Sequence, residues 1–347
     1  EAMLADRIEA KWIEAFRRVF QLCRVADGEP VAILSETQSR QVNVELAELA
    51  LQSLGARIFH IVMPSPRQSA PVSVRSTGAS DALQGLAPAI GALSSSGMVV
   101  DLTVEGMLHA PELPAILKGG ARVLMISNEH PDALERMVPD ENLKPIVRDA
   151  VARCREASVM TVSSDAGTDL TVNLADSPAA GVWGWTDRPG TIAHWPGGVL
   201  VAFPKRHSTN GRLVMRPGDI NLTFKRYLET PITLTIEDDY VTSVEGDGVD
   251  AAMMREYYEA WDDPEAYGVS HVGWGLNRSA RYEALTMYDR RDTNGTELRA
   301  LAGNFLFSTG ANEVAGRHTL GHFDLPMLRC TIALDGKPVV VDGTLVV

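Results

Sequence analysis

The sequence is poor in cysteine and contains no long apolar run. Its 3 cysteines, Cys23, Cys154 and Cys330, are too few and too widely spaced for a disulfide framework or a cysteine zinc cluster. No apolar stretch approaches the roughly 20 residues that a membrane-spanning helix needs, and the first residues lack the pattern of a signal peptide. We therefore expect a cytoplasmic protein that does not enter a membrane.

Three motifs of common enzyme classes are also missing. No G-x-G-x-x-G follows a predicted strand, no G-x-x-x-x-G-K-[ST] occurs, and the pattern G-x-S-x-G is absent. The first two motifs form phosphate-binding loops, and the third presents the nucleophile of many serine hydrolases. Standard nucleotide-binding modules and serine hydrolases are thus not expected.

Basic residues are outnumbered by acidic ones. The chain has 45 Asp and Glu against 32 Lys and Arg, which gives a formal net charge of −13 at pH 7. Because phosphate binding depends mainly on Lys and Arg, this balance argues against a nucleic-acid partner. The net charge does not exclude an anionic ligand, because an acidic protein can hold one in a locally basic pocket.

The length and the pattern of predicted elements indicate two domains. The 347 residues are 45% apolar and 22% charged, as in ordinary globular proteins. Strands and helices alternate over residues 1–157, which predicts an α/β domain with a mostly parallel sheet and flanking helices. Short β-rich runs with few helices predict an α+β domain over 158–347. Helices are predicted at 80–93 and 278–289, and a proline-containing loop near a site at 64–80.

The most informative polar pair is His322 and Asp324. Residues i and i+2 of a strand point to the same face, so this imidazole and this carboxylate can bind one metal ion. Pro326 predicts that the strand is short or lies at a sheet edge. His271, in a glycine-containing apolar segment, is the natural third donor, completing a set of two histidines and one carboxylate. The alternative is that His322 caps a turn and that Asp324 is a solvated carboxylate.

Two further histidines lie in loop-like contexts. His109 follows a predicted strand at its carboxyl end, where open α/β sheets bind ligands. His194 stands beside Trp195 between Pro/Gly turns, which suits a positioned acid or base. Each of the two rings also fits a half-buried structural role.

Hydroxyl and aromatic side chains complete the candidate site. Ser308 and Thr309, at a strand end, either bind a polar group of the substrate or cap a turn. The tryptophans at 183, 185 and 195 either form a wall for a flat ligand or pack in the core.

Four segments carry a resemblance to a known family. They are 263–276, 304–310, 322–326 and 194–196. Together they resemble the bacterial 2,5-dihydroxypyridine 5,6-dioxygenases of nicotinate catabolism, which share a fold with the leucyl aminopeptidase T group. The resemblance spans most of the chain and is strongest over 183–335.

The resemblance implies a non-haem Fe(II) enzyme that uses O₂ to open a dihydroxylated pyridine between ring carbons 5 and 6, giving N-formylmaleamate. It implies that His271, His322 and Asp324 are the iron ligands. It also implies that His109 and His194 contact the substrate and move protons, and that Ser308 lines the pocket. A homo-oligomer is implied as well.

One departure from the family pattern bears on the substrate. Val182 stands before Trp183-Gly-Trp185, where the pyridine enzymes carry a glutamate. We therefore count Val182 and Trp183 as substrate-binding positions, in a pocket that is less polar or built for a different hydroxylated ring. Two alternatives remain. A metallohydrolase of the aminopeptidase T type would need bridging carboxylates, for which Glu283 and Glu313 are candidates, and a binding protein would have lost the metal.

Overall fold

A computed structural model describes residues 7–67, 70–71 and 78–346. Within them the helices are α1 (Ala10–Leu22), α2 (Gln41–Ser53), α3 (Ala87–Ser94), α4 (Leu113–Lys118), α5 (Pro131–Arg136), α6 (Leu143–Glu156), α7 (Val249–Trp261), α8 (Ala284–Met287) and α9 (Thr296–Ala300). None of these helices is both long enough and apolar enough to cross a membrane.

The first nine strands are β1 (Pro30–Glu36), β2 (Arg57–Met63), β3 (Met98–Leu102), β4 (Arg122–Ile126), β5 (Val159–Ser163), β6 (Asp169–Asn173), β7 (Ala179–Val182), β8 (Ile192–Trp195) and β9 (Val199–Ala202). They are followed by β10 (Thr209–Met215), β11 (Ile220–Asn221), β12 (Arg226–Tyr227), β13 (Ile232–Glu237), β14 (Tyr240–Glu245), β15 (Val269–Gly275), β16 (Phe305–Thr309), β17 (Phe323–Met327), β18 (Thr331–Leu334), β19 (Lys337–Val341) and β20 (Thr344–Leu345).

The first domain is built on a five-stranded parallel sheet with the order β2-β1-β3-β4-β8. Its central strands β3 and β4 are buried along their whole length, which explains their continuous apolar sequences. Helices α1 and α2 cover one face through Phe16 and Leu46, and α3 and α4 cover the other through Leu93 and Ile116. The predicted α/β fold of this domain is confirmed.

The second domain contains two larger antiparallel sheets. One has eight strands in the order β14-β13-β10-β6-β5-β18-β19-β20, and the other has five in the order β17-β16-β15-β9-β7. These two sheets and α7 share one core. It contains Leu234 and Met160 of the eight-stranded sheet, Val272 and Phe307 of the five-stranded antiparallel sheet, and Met254 of α7. This arrangement confirms the predicted α+β class.

One strand crosses the predicted domain boundary. β8 belongs by sequence to 158–347, but it pairs in parallel with β4 and completes the first sheet. It satisfies the open backbone groups of β4 and buries Ala193 and Trp195 against α1 and its neighbours. The boundary at 157/158 therefore misplaces this strand, because short apolar runs do not reveal which sheet they join.

Two predicted helices are shorter than expected. The helix at 80–93 begins only at Ala87, with a proline in its first turn. The helix at 278–289 is reduced to α8, and the residues before it form turns, in which the backbone N–H groups of Ser279 and Arg281 bond to side chains of Asn277 and Glu297. The predicted loop at 64–80 lies partly outside the described residues, and its described part contains no helix or strand.

Candidate active site

Three adjacent strands place polar side chains in a row across the five-stranded sheet. His271 on β15 pairs with Ser308 on β16, and Ser308 pairs with Asp324 on β17. Directly opposed residues of neighbouring antiparallel strands have Cβ atoms about 5 Å apart on one face. β17 is the edge strand of this sheet, as Pro326 predicted.

The side chains of this row contact one another and His322. Nε2 of His271 lies 3.4 Å from Oδ1 of Asp324, and Nε2 of His322 lies 3.2 Å from Oδ2. The two imidazole centroids are 6.0 Å apart. Ser308 donates a hydrogen bond to Asp324, and its Oγ lies 2.9 Å from Nε2 of His271. The structure therefore brings together the three residues that the sequence nominated for a metal, with Ser308 between two of them.

Arg299 is a member of this cluster that the sequence did not reveal. Its Nε donates to Oδ2 of Asp324 at 2.5 Å. Burial by itself would raise the pKa of Asp324, but Arg299 and His322 outweigh it and hold that pKa well below its ordinary value. Arg299 lies on the short helix α9, and an arginine after a loop glycine carries no sequence signal of such a role.

The hydrogen-bond pattern fixes the proton of His271. The hydroxyl of Ser270 donates to the carbonyl of Ala311 at 2.6 Å, so its oxygen accepts from Nδ1 of His271 at 3.1 Å. Burial lowers the pKa of His271, which keeps the ring neutral. Its Nε2 therefore presents a lone pair toward Ser308 and Asp324.

This donor set fits a cation. Ser308 has one proton to offer, yet both Nε2 of His271 and Oδ1 of Asp324 face its oxygen. One acceptor at this point therefore lacks a proton, in a place where Asp324 is 4% exposed. As the side chains stand, no three His, Cys, Asp or Glu residues of the described chain surround one point at metal-holding spacing. Sharing an ion therefore requires His271, His322 and Asp324 to rotate toward it.

His194 is a buried neutral imidazole. It lies on β8, and its Nδ1 donates to the carbonyl of Pro196 at 2.6 Å, which leaves Nε2 as the acceptor. Burial lowers the pKa of His194 to about 4. At neutral pH this ring accepts a proton at one defined atom.

His109 lies near the same cluster, close enough to interact electrostatically with His322, His271 and Asp324. The loop after β3 carries it, and its backbone N–H donates to Gly78 at 2.8 Å. Crowding by protein atoms, and next the imidazoles of His322 and His271, lowers the pKa of His109. His109 is nonetheless exposed to solvent, whereas His194 is buried.

Buried carboxylates order the loop that carries His109. Asp101 accepts from the backbone N–H groups of Thr103 at 3.0 Å and Met107 at 2.7 Å. Glu36 accepts from that of Val104 at 3.1 Å. The conformation of this loop is therefore set by side chains at the ends of β1 and β3.

Val182 and Trp183 are not brought to the cluster. Val182 pairs with Val199, which pairs with Gly275 at the opposite end of β15 from His271. At about 3.3 Å per residue this end lies roughly 13 Å along the strand, and β7 lies two strands away from β15. The ring of Trp183 packs under Lys144, whose Nζ is 5.2 Å from its centroid. Their prediction as substrate-binding residues finds no support in this placement.

Other aromatic and acidic candidates also lie elsewhere. Trp195 is buried in the first-domain core, where its Nε1 donates to Met137 at 2.9 Å and its ring contacts Phe16. Glu283 and Glu313 are both exposed. They are therefore not placed as the bridging carboxylates that a two-metal hydrolase needs.

Comparison with known proteins identifies the family. Residues 11–347 match the family described as 2,5-dihydroxypyridine 5,6-dioxygenase. The chain is 39% identical over 341 residues to the 2,5-dihydroxypyridine 5,6-dioxygenase of Pseudomonas putida, covering 97% of this chain and 96% of that protein.

Solved structures agree with this comparison. The 2,5-dihydroxypyridine dioxygenase structure from Pseudomonas putida superimposes with a TM-score of 0.91 at 38% identity, covering 98% of both chains. AmpT from Thermus thermophilus has a TM-score of 0.67 at 15% identity, over 97% of this chain and 99% of that one, and so shares the fold. The chain belongs to the 2,5-dihydroxypyridine 5,6-dioxygenase family.

Proposed function

We propose that this protein is an Fe(II)-dependent dioxygenase that opens 2,5-dihydroxypyridine between ring carbons 5 and 6. The product is N-formylmaleamate, and both atoms of O₂ enter it. The observation that carries the proposal is the cluster of His271, His322 and Asp324, in which the one hydroxyl proton of Ser308 lies between two acceptors. Membership in the dioxygenase family supports the substrate.

The residues that would hold the iron are His271, His322 and Asp324. When bound by two histidines and one carboxylate, Fe(II) keeps open positions and supplies the redox chemistry that O₂ requires. Arg299 keeps Asp324 ionised, so the carboxylate has no proton to lose before it ligates. The bond from Nδ1 of His271 to Ser270 holds the Nε2 lone pair toward the ion.

Proton transfer is assigned to His194 and His109. Nε2 of His194 is an acceptor at neutral pH and is the atom that takes a proton from a ring hydroxyl. His109, which is exposed to solvent, exchanges a second proton with water. Burial of Ser308 and Asp324 keeps bulk water from the inner end of the site.

The alternatives are less well supported by the geometry. The replacement of a glutamate by Val182 was the reason to consider another hydroxylated ring, but Val182 lies away from the cluster. The hydrolase alternative lacks its bridging carboxylates, because Glu283 and Glu313 are exposed. A homo-oligomer in the cytoplasm completes the proposal, and sedimentation tests the oligomer.

The test is O₂ consumption by protein loaded anaerobically with Fe(II). A panel of hydroxylated pyridines and benzenes, including 2,5-dihydroxypyridine, is added in turn while the ultraviolet absorbance of the ring is followed. We expect uptake of one O₂ per ring lost, and the fastest turnover with 2,5-dihydroxypyridine. Bound iron without uptake for any ring would overturn the proposal.

A further inference from the structure

A buried carboxylate of the first domain holds the segment that carries Arg299. Glu129, in the loop after β4, is 1% exposed. Its Oε1 accepts from the backbone N–H groups of Gly295 at 2.9 Å and Thr296 at 3.0 Å, and its Oε2 accepts from that of Asn294 at 3.1 Å. Three consecutive amides of the second domain therefore bond to one side chain of the first.

Glu129 is itself fixed in place. Its backbone N–H donates to the backbone carbonyl of Ser127 at 2.7 Å, and its own carbonyl accepts from Nδ2 of Asn43 on α2 at 3.1 Å. A parallel contact joins the hydroxyls of Ser127 and Thr296 at 2.8 Å. The end of β4 and the start of α9 are thus joined at two points, and the bonds to Gly295 and Thr296 and the bond between the two hydroxyls are buried.

Asn294 connects this contact to the candidate metal ligand. Its backbone N–H bonds to Glu129, and its Oδ1 accepts from Nη1 of Arg299 at 3.3 Å. Nε of Arg299 in turn donates to Asp324 at 2.5 Å. A short series of hydrogen bonds therefore runs from Glu129 through Asn294 and Arg299 to Asp324. Glu129 is linked to Asp324 only through these two residues in this series.

We propose that Glu129 is a positioning residue for the reaction. By holding residues 294–296, it directs the guanidinium of Arg299 at Oδ2 of Asp324. It thereby sets the orientation of this carboxylate, with Oδ1 toward His271 and Oδ2 toward His322. This inference rests on the proposed function, because its consequence is a metal site whose geometry depends on a side chain of the other domain. A purely structural clamp would affect stability and leave the metal site unchanged.

The test compares two buried carboxylates, each of which accepts hydrogen bonds from three consecutive backbone N–H groups. Asp239 is 3% exposed and accepts from the backbone N–H groups of His207, Ser208 and Thr209 at 2.6, 2.9 and 2.8 Å, at a turn of the eight-stranded sheet. Glu129→Gln and the control Asp239→Asn are titrated with Co²⁺, whose visible spectrum reports ligand geometry. We expect Glu129→Gln to bind about tenfold more weakly with an altered spectrum, the low end for residues that support metal ligands. The control stays within about twofold of wild type.

A double variant identifies the route. If Glu129 acts through Arg299, then Glu129→Gln adds less than about twofold to the loss already caused by Arg299→Lys. Two results would overturn the inference while the proposed function stands. One is a loss of Co²⁺ affinity in the double variant that equals the product of the two single losses. The other is an unchanged Co²⁺ affinity and spectrum in Glu129→Gln. Wild-type protein that binds no Co²⁺ would overturn both. If Glu129→Gln fails to fold, Glu129→Asp, which retracts the carboxylate by one methylene, takes its place in every comparison.

Discussion

Arg299 donates a hydrogen bond from Nε to Oδ2 of Asp324, with 2.5 Å between the two atoms. Both side chains are largely buried, at 16% and 5% exposed. The guanidinium thereby stabilises a carboxylate that burial alone would favour in its protonated form. The pair also directs the other oxygen of Asp324 toward Ser308 and His271.

Replacing Arg299 is expected to weaken metal binding without unfolding the protein. Arg299→Lys keeps the positive charge but loses the planar donor that fits a carboxylate, so Asp324 is held less firmly. We expect Fe(II) or Co²⁺ affinity to fall by about 10- to 100-fold. Calorimetric titration measures this, and circular dichroism checks the fold. Unchanged affinity would mean that Arg299 does not orient Asp324.

Each of the three proposed ligands is expected to be required for iron binding. His271→Ala, His322→Ala and Asp324→Asn each remove one donor from a three-ligand site. We expect iron to be lost and ring cleavage to fall by about three orders of magnitude or more, while the thermal unfolding transition persists. Asp239→Asn is the control for a buried carboxylate, and it should retain iron. Near-normal turnover in any of the three ligand variants would contradict the assignment.

Ser308→Ala tests the excess of lone pairs in the cluster. Without the hydroxyl, Nε2 of His271 and Oδ1 of Asp324 face each other without a donor at 3.4 Å. We expect the metal-free variant to lose about 1–3 kcal/mol of unfolding free energy. A bound cation satisfies both atoms, so the loss should be smaller in protein loaded with Co²⁺. Urea unfolding with and without Co²⁺ gives the two values. Equal losses in both states would show that no ion is shared there.

The lowered pKa of His194 leads us to expect that the stability of the protein depends on pH in a defined range. The folded protein holds the pKa of His194 near 4, below its ordinary value of 6.5, because the ring is buried. Between these values the unfolded chain binds the proton and the folded protein does not, so the free energy of unfolding falls as pH is lowered from 6.5 toward 4. The contribution of this one group is about 3 kcal/mol, at 1.36 kcal/mol per pH unit.

His194→Asn isolates this contribution. Its amide can still donate to the carbonyl of Pro196, but it does not titrate. Urea unfolding at several pH values between 4.5 and 7.5 should show a shallower loss of stability in the variant than in wild type. Identical slopes would mean that His194 is protonated with equal ease in the folded protein. Ring cleavage by the variant should also fall, by about 100-fold, if His194 is the base.

Val182→Glu tests whether position 182 contacts the substrate, as the comparison with the family pattern predicts, or lies away from it, as the strand pairing indicates. Val182 packs against the first-domain core and lies away from the cluster. We expect the new carboxylate to lower the unfolding free energy by about 1–3 kcal/mol, because it is partly desolvated without a partner. Relative rates on the panel of rings should not change. A shift toward 2,5-dihydroxypyridine would place this position at the substrate after all.

Local patterns were sufficient for much of the fold. The apolar runs of β1, β3 and β4 and the helical spacing of α1, α6 and α7 are visible in the sequence, because burial on two faces or one face imposes those periods. They failed for 278–289, where the residues before α8 form turns and the helix spans only 284–287. They also failed for β8, since an apolar run of four residues fits either sheet.

The sequence by itself determined that His322 and Asp324 share a face, because that follows from the spacing of side chains along a strand. It also nominated His271, Ser308, His109 and His194 by their local contexts and family resemblance. Only the tertiary structure decided that β15, β16 and β17 lie side by side and bring His271 and Ser308 to Asp324. The tertiary structure alone revealed the roles of Arg299 and Glu129, and it alone showed that Val182 lies away from the His271 cluster. Contacts between distant segments depend on strand order and register, which no local pattern encodes.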